Sequence, residues 1–341
     1  MKKAFKISAA LFLAAILGVG GYFAWQYYYD RKVPNFRSSS ELFIRPDTPV
    51  DSVVAQLLRS SDVVRPASVR RVFRKVDSVK PGHYTVSAKD PSIYVARMVH
   101  AGWQTPVKLV LSGTLRRQQD LASKISRQMM LDSIDVIRAL RDSALLASYG
   151  FRTEDVFALF FPDTYEVWWT DPMTAVLDKQ KAAYDAFWTE DNLRKAAAQG
   201  LTQREVPILA SIVKGETNYE PEMPSIAGVY LNRLHKGMKL QADPTIAYCF
   251  DYELDRVLKK HLEVDSPFNT YKNFGLPPAP IYVPTRAALE AVLNPDRHGY
   301  IFFCASPEFN GTHRFAVTYS EHLTNAREFQ RALTARRAAK K

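Results

Sequence analysis

One carboxyl group in this sequence stands where it could donate a proton. Leu201 to Thr245 reads LTQREVPILASIVKGETNYEPEMPSIAGVYLNRLHKGMKLQADPT. Thr202 and Glu205 have the spacing of a capping box ahead of an apolar run. Ile208, Leu209, Ile212 and Val213 then form a buried stripe, and Pro207 removes one backbone bond near its start, which makes that start tight or kinked. Glu216 falls four residues after Ile212 and seven after Leu209, so it continues the apolar face to the C-terminal end of the helix. A carboxyl there is partly desolvated, which raises its pKa toward the range of a general acid. Lys214 lies about 200° around the helix and should point elsewhere. The plainer alternative is that Glu216 caps the run or pairs with a neighbouring base.

Polar groups follow at the right distance to assist. Ile226, Val229, Tyr230 and Leu234 mark the apolar face of a second helix that carries Asn232 and Arg233 and stops at Gly237. Met238 to Thr245 reads as a short strand breaking into a polar turn that holds Gln241 and Asp243. The loops Ser266 to Tyr271 and Gly275 to Ile281 present Asn269, Tyr271 and several prolines. Amides can read sugar hydroxyls and aromatic faces can stack on pyranose rings; the same loops could be ordinary proline-fixed connections, and Asp243 before Pro244 could simply form a turn. Other chemistries drop out. There is no G-x-S-x-G elbow and no phosphate-binding glycine loop. The seven histidines never fall four apart, so no metal is expected and no cofactor is called for.

These elements need an address. Ile7 to Trp25 carries no charge, and as a helix it spans about 28 Å, close to a hydrocarbon core. Lys2, Lys3 and Lys6 precede it, which sets the N-terminus in the cytoplasm, and Tyr22 to Tyr29 supplies an aromatic belt. A cleaved signal peptide shares these features, but bulky aromatics crowd the place where a small-x-small cleavage site would lie. The expectation is an uncleaved single-pass anchor over residues 7–29 in the cell inner (cytoplasmic) membrane, with a cytoplasmic tail at 1–6 and the rest periplasmic.

That address changes what the charge means. The chain has 341 residues with 46 Lys+Arg against 35 Asp+Glu, a balance of +11, and is 47% hydrophobic. Such a composition excludes a disordered chain, a collagen and a polytopic membrane protein, and it favours an anionic partner. Outside the cytoplasm that partner is an anionic envelope, so no nucleic acid is expected. Cys249 and Cys304 lie where a single disulfide is permitted, though both sit in apolar runs.

Organisation follows from periodicity. Pro34 to Trp103 reads as a small α+β module: a strand at Glu41 to Ile44, an amphipathic helix through Val50, Val53, Val54, Leu57 and Leu58, a strand at Tyr84 to Val86 and a helix at Ile93 to Val99. Thr105 to Leu111 alternates like a strand, and Arg116 to Leu146 has a helical pattern. The expected division is a module at 34–104, a helical connecting region at 105–150, a second unit at 151–333 and a frayed basic tail at 334–341.

Taken in order, A-S-I-V-x-x-E-T, N-R-L-x-x-G-M-x-L-Q-x-D-P-T, S-P-F-N-T-Y and G-L-P-P-x-P-I resemble the motifs of the MltG/YceG-like endolytic murein transglycosylases. Phe161-Pro162-Asp163-Thr164-Tyr165, Lys80-Pro81-Gly82-His83-Tyr84 and Gly311-x-His313-x-Phe315 match three further elements of that family. Seven motifs in register, over nearly the whole chain, carry the likeness where any one alone would not. The resemblance implies an α+β protein: a transmembrane helix, a LysM-like module and a mixed α/β catalytic domain. It implies cleavage of the β-1,4 bond between N-acetylmuramic acid and N-acetylglucosamine within glycan strands, leaving 1,6-anhydro ends, and a role as terminase of strand elongation. Penicillin-binding proteins and the elongation machinery are its implied partners. The family's catalytic glutamate carries over to Glu216, and Asn232, Gln241, Asp243, Asn269 and Tyr271 fall in the matching motifs as substrate-binding candidates. Many members have a glutamate where this chain has Lys214, so Glu216 acts here without that upstream carboxylate. The alternative is a non-catalytic murein-binding or scaffolding protein of the same fold. A cytoplasmic lyase fails on the export signal.

Overall fold

The computed structural model describes residues 2–338, with side chains from Ile7 onward. The expected tail at 1–6 and the last three residues of the basic tail lie outside the described side chains. The protein mixes helix with small sheets, and Cα packing divides it into two compact units: 1–108 with 128–130 and 166–171, and 109–127, 131–165 and 172–341. The stretch read as a connector over 105–150 thus falls mostly within the second unit.

In the first unit, α1 (Lys2–Lys32) is exposed along its apolar length, and among the described residues it is the one helix long and apolar enough to cross a membrane. Beyond it come β1 (Ser40–Ile44), α2 (Val50–Ser60), α3 (Pro66–Phe73), β2 (Gly82–Val86) and α4 (Ser92–Ala101). β1 and β2 pair antiparallel, from Ser40 opposite Val86 to Ile44 opposite Gly82. Leu42 and Ile44 alternate inward and meet Val53, Leu57, Val69, Tyr84, Val95 and Val99 in one core. The Tyr84 hydroxyl donates to the Lys80 carbonyl at 2.8 Å and so closes the turn between them. The end of α1 is built into this core's edge. Asp30 accepts from Ser68 at 2.6 Å and from Arg71 at 2.6 and 2.8 Å, and Arg65 donates to the Val33 and Pro34 carbonyls.

The rest of the chain runs through β3 (Val107–Val110), α5 (Gln118–Ser126), α6 (Ser133–Arg141), α7 (Ser143–Ser148), α8 (Val156–Leu159), β4 (Thr164–Val167), α9 (Met173–Phe187) and α10 (Glu190–Ala198). The helical pattern at Arg116 to Leu146 is therefore three helices. Asp142 breaks the run by accepting from the Leu145 amide at 3.0 Å and starting a new helix. Then follow α11 (Glu205–Glu216), α12 (Met223–His235), α13 (Asp243–Cys249), α14 (Arg286–Leu293), β5 (Phe302–Ala305), β6 (His313–Ala316) and α15 (Tyr319–Ala338). Val206 to Val213 are all buried, so α11 is the central helix, packed by α12, α13 and α14. β5 and β6 form an antiparallel hairpin against which α15 packs. α15 is helical through Ala338, where a frayed tail was expected from residue 334; Arg336 is held over the Phe309 ring at 4.5 Å. Cys249 and Cys304 are unbridged.

Candidate active site

Glu216 is the last residue of α11, and local chemistry puts it there. The Glu205 carboxylate accepts from the Thr202 amide at 2.8 Å, and the Thr202 hydroxyl accepts from the Glu205 amide at 3.3 Å, so the capping box forms. Pro207 falls among the first-turn amides that have no intrahelical partner, and α11 tolerates it. At the far end Thr217 turns extended, with φ −144° and ψ 150°, and stops the helix. Ser211, inside α11, donates to the Ile208 carbonyl at 2.7 Å and accepts from the Ile281 amide at 3.0 Å. The proline-rich loop at 275–281 therefore backs the helix.

α12 runs beside this end of α11. From it the Tyr230 hydroxyl donates to Glu216 Oε1 at 2.5 Å. Burial pushes the Glu216 carboxyl up to about 7; the Tyr230 hydrogen bond works against that, Asp243 adds to it, and Arg233 opposes it weakly. Desolvation wins because the single hydrogen bond and a committed guanidinium replace only part of the lost hydration. Tyr230→Phe is accordingly expected to move the Glu216 pKa further up, by about one to two pH units, since a hydrogen bond to a charged acceptor is worth roughly 1.5–3 kcal/mol. Carbon-13 NMR titration of the labelled carboxyl checks this, and an unmoved pKa would show the bond to be energetically idle.

Two cavities open at Glu216. One, of about 370 Å³, is lined by Tyr230, Arg233, Gln241, Asp243, Tyr271 and the β5 edge. The other, of about 670 Å³, is lined by Thr217, Asn218, Tyr219 and the loop from Ser306 to Thr312. Glu216, Ala305 and His313 belong to both. His313 is fixed from behind by Glu222, whose carboxylate accepts from its amide at 2.8 Å and pairs with Nδ1 at 2.6 Å. In the smaller cavity His322 Nδ1 is buried without a hydrogen-bond partner, and burial together with Arg233 lowers the ring's pKa, so it is neutral at pH 7.

Met238 to Thr245 contains no strand. Gln241 adopts φ +50°, and Asp243 and Pro244 open α13 instead. Proline suits a helix's first turn, and its ring packs against Gly215, where an added Cβ would come within 2.6 Å of Pro244 Cβ. That close approach brings Asp243 near Glu216. The Tyr271 hydroxyl donates to Asp243 at 2.6 Å, and burial with this carboxylate neighbour raises the phenol's pKa.

Of the substrate-binding candidates, Gln241, Asp243 and Tyr271 line the smaller cavity with Glu216. Asn232 and Asn269 line neither. Asn232 donates to the His298 and Tyr300 carbonyls at 2.8 and 2.9 Å. Asn269 is fully buried, donating to Leu262 and Val264 carbonyls and accepting from the Tyr271 amide. Both amides are consumed in holding backbone. Lys214 bonds Asn218 at 2.6 Å and lines neither cavity, so it faces away from the carboxyl as its helical angle requires. Tyr230, Arg233 and His313 were not among the candidates. Tyr230 carried a signal, because a phenol on an apolar helix face needs a polar partner and Glu216 closes the neighbouring helix. Arg233 is 7% exposed and donates to the Ile301 and Leu240 carbonyls at 2.6 and 2.5 Å, contacts that local spacing does not reveal.

The YceG-like family model matches residues 42–328. An endolytic murein transglycosylase of Bacillus subtilis (strain 168) is 29% identical over 80% of this chain and 79% of its own length. One from Streptococcus pneumoniae serotype 2 is 24% identical over 96% of this chain, which spans 65% of that longer protein. A crystal structure of a YceG-like protein from Listeria monocytogenes superposes with a TM-score of 0.58 at 25% identity, covering 84% of this chain and 98% of its own.

Proposed function

The chain belongs to the YceG-like family, and on that premise we propose that it is a membrane-anchored endolytic murein transglycosylase with Glu216 as its acid and base. The observation that carries this reading is the raised carboxyl of Glu216 at the junction of two open cavities. A polymer cut in its interior must continue on both sides of the acid, and two cavities meeting there give it room.

The chemistry needs one carboxyl. Ordinary glycosidases use two, because water or an enzyme nucleophile must also be placed. Here protonated Glu216 gives its proton to the departing glycosidic oxygen as the C1–O bond breaks. The sugar's own C6 hydroxyl then attacks C1, and the Glu216 carboxylate takes its proton, which restores the acid and closes a 1,6-anhydro ring. Tyr230 stabilises the carboxylate between the two steps, and a pKa of about 7 suits both. Gln241, Asp243 and Tyr271 are the sugar contacts, and the uncommitted His322 Nδ1 offers another.

α1 serves as a single-pass anchor in the inner membrane, N-terminus inside and catalytic unit in the periplasm. Supporting an uncleaved helix, Asp30 at its end is hydrogen-bonded into the first unit. The order β1-α2-α3-β2, with two helices between two strands that pair as one sheet, supports reading that unit as LysM-like and glycan-holding. Terminating nascent strands beside penicillin-binding proteins would follow from that address. Incubation with uncrosslinked glycan strands is expected to lower mean strand length steeply before small fragments accumulate. Release of disaccharides from strands of unchanged length would contradict internal cutting.

A further inference from the structure

The first unit contains a cavity of about 410 Å³ that the glycan chemistry leaves unused. One wall is a single face of α1: Phe23, Gln26, Tyr27, Asp30 and Arg31 recur at three- and four-residue spacing. The opposite wall comes from the end of α3, the residues after it, and α4, and carries Lys75, Asp77, Arg97 and His100. Its charge is lopsided. Arg71 is committed to Asp30, and His100 pairs with Asp77 at 3.4 Å. Arg31 lies over the Tyr27 ring at 4.4 Å. Among the described residues, the Lys75 and Arg97 side chains have no acidic partner and no hydrogen bond, although both face the same cavity.

The depth of this cavity along α1 is informative. The apolar run ends at Trp25, just before Gln26, and Arg31 lies roughly 9 Å further along the helix. Headgroups add roughly 5–8 Å on each side of the hydrocarbon, so Arg31 sits at the outer edge of that layer. The aromatic Phe23 and Tyr27 therefore fall near the hydrocarbon boundary and Arg31 at headgroup level, where it faces the same cavity as Lys75 and Arg97.

We propose that this cavity seats the headgroup of an anionic phospholipid, with Arg31, Lys75 and Arg97 around the phosphodiester and Phe23 and Tyr27 against the start of the acyl chains. The assignment rests on reading α1 as a retained membrane anchor. One bound lipid would bridge the anchor and the folded unit at the membrane surface, adding to the Asp30–Arg71 pair a second tie that water-soluble anions cannot supply.

Native mass spectrometry of the full chain tests this, after release from nanodiscs containing equal phosphatidylglycerol and phosphatidylcholine. The expected result is one retained phosphatidylglycerol per chain, preferred over phosphatidylcholine. Arg97→Glu and Lys75→Glu should each lower that retention about tenfold, the effect of reversing one charge at headgroup level. Arg59→Glu, exposed on α2 away from the cavity, makes the same charge change and should leave retention intact. Equal retention of the two lipids, or equal loss with Arg59→Glu, would overturn the site. So would displacement of the lipid by millimolar glycerol phosphate, which would mark a seat for soluble phosphates. The same spectra weigh the polypeptide. A chain lacking residues 7–29 would remove the anchor and the site together, whereas an intact chain without lipid overturns the site alone.

Discussion

Glu216→Gln is expected to lower glycan cleavage by about 10³-fold, within the range of a lost general acid–base group, and to make the folded protein more stable above pH 7. The two effects have one cause. An unfolded glutamate ionises near 4.5, whereas in the fold this carboxyl is held up to about 7 by burial, with Asp243 adding to the cost of its charge. The stabilisation tied to the neutral form is therefore complete below pH 4.5 and is lost as pH rises through about 7. Above that the native state carries a charge its surroundings disfavour, at a cost on the order of 3 kcal/mol. Glutamine is nearly isosteric, stays neutral, and can still accept the Tyr230 hydrogen bond. Urea unfolding at pH 5 and pH 8.5 should show the variant level with wild type at the lower pH and more stable at the higher. A variant that is destabilised at both would mean that Glu216 serves the fold.

Arg233→Met is expected to destabilise the protein by roughly 3–5 kcal/mol, the cost of stranding two buried carbonyls after losing charge-assisted bonds. The guanidinium spans the Ile301 carbonyl, just before β5, and the Leu240 carbonyl, just before the left-handed Gln241, while lying 5.5 Å from the centre of the Phe302 ring. It thereby locks two walls of the smaller cavity to α12. Methionine fills the volume but donates nothing. Lysine should not rescue, because one ammonium on a flexible stem cannot reproduce the planar fork over two carbonyls. Denaturant midpoints read the stability loss. A midpoint unchanged from wild type would show that the two carbonyls find other donors.

What could be read in advance divides along the range of the interactions. The capping box at Thr202 and Glu205, the stripe leading to Glu216, the stop at Gly237 and the strands at Glu41 and Tyr84 all rest on residues close in sequence, and each forms. Met238 to Thr245 was misread because the turn is imposed from outside: Arg233 takes the Leu240 carbonyl, and the Gln241 amide donates to the Thr270 carbonyl at 3.1 Å. Asn232 and Asn269 look like sugar-reading amides in isolation, yet their acceptors are backbone carbonyls: His298 lies 66 residues from Asn232, while Asn269 takes the Leu262 and Val264 carbonyls of its own loop, which only the loop's irregular path turns toward it. Likewise Glu222 and His313 are 91 residues apart, so neither residue alone announces the pair that shapes the cleft.

Asp243 gives the mechanism its sharpest competitor. It shares the smaller cavity with Glu216 and is close enough to raise its pKa. Two carboxyls flanking a glycosidic bond, with water between, are the equipment of an inverting hydrolase. Digestion of glycan strands in water enriched in oxygen-18 separates the two routes directly. If the C6 hydroxyl closes the ring and Glu216 handles both protons, the new ends are 1,6-anhydro sugars without label. Reducing ends carrying oxygen-18 would mean that water is the nucleophile and that Asp243 has a part in activating it.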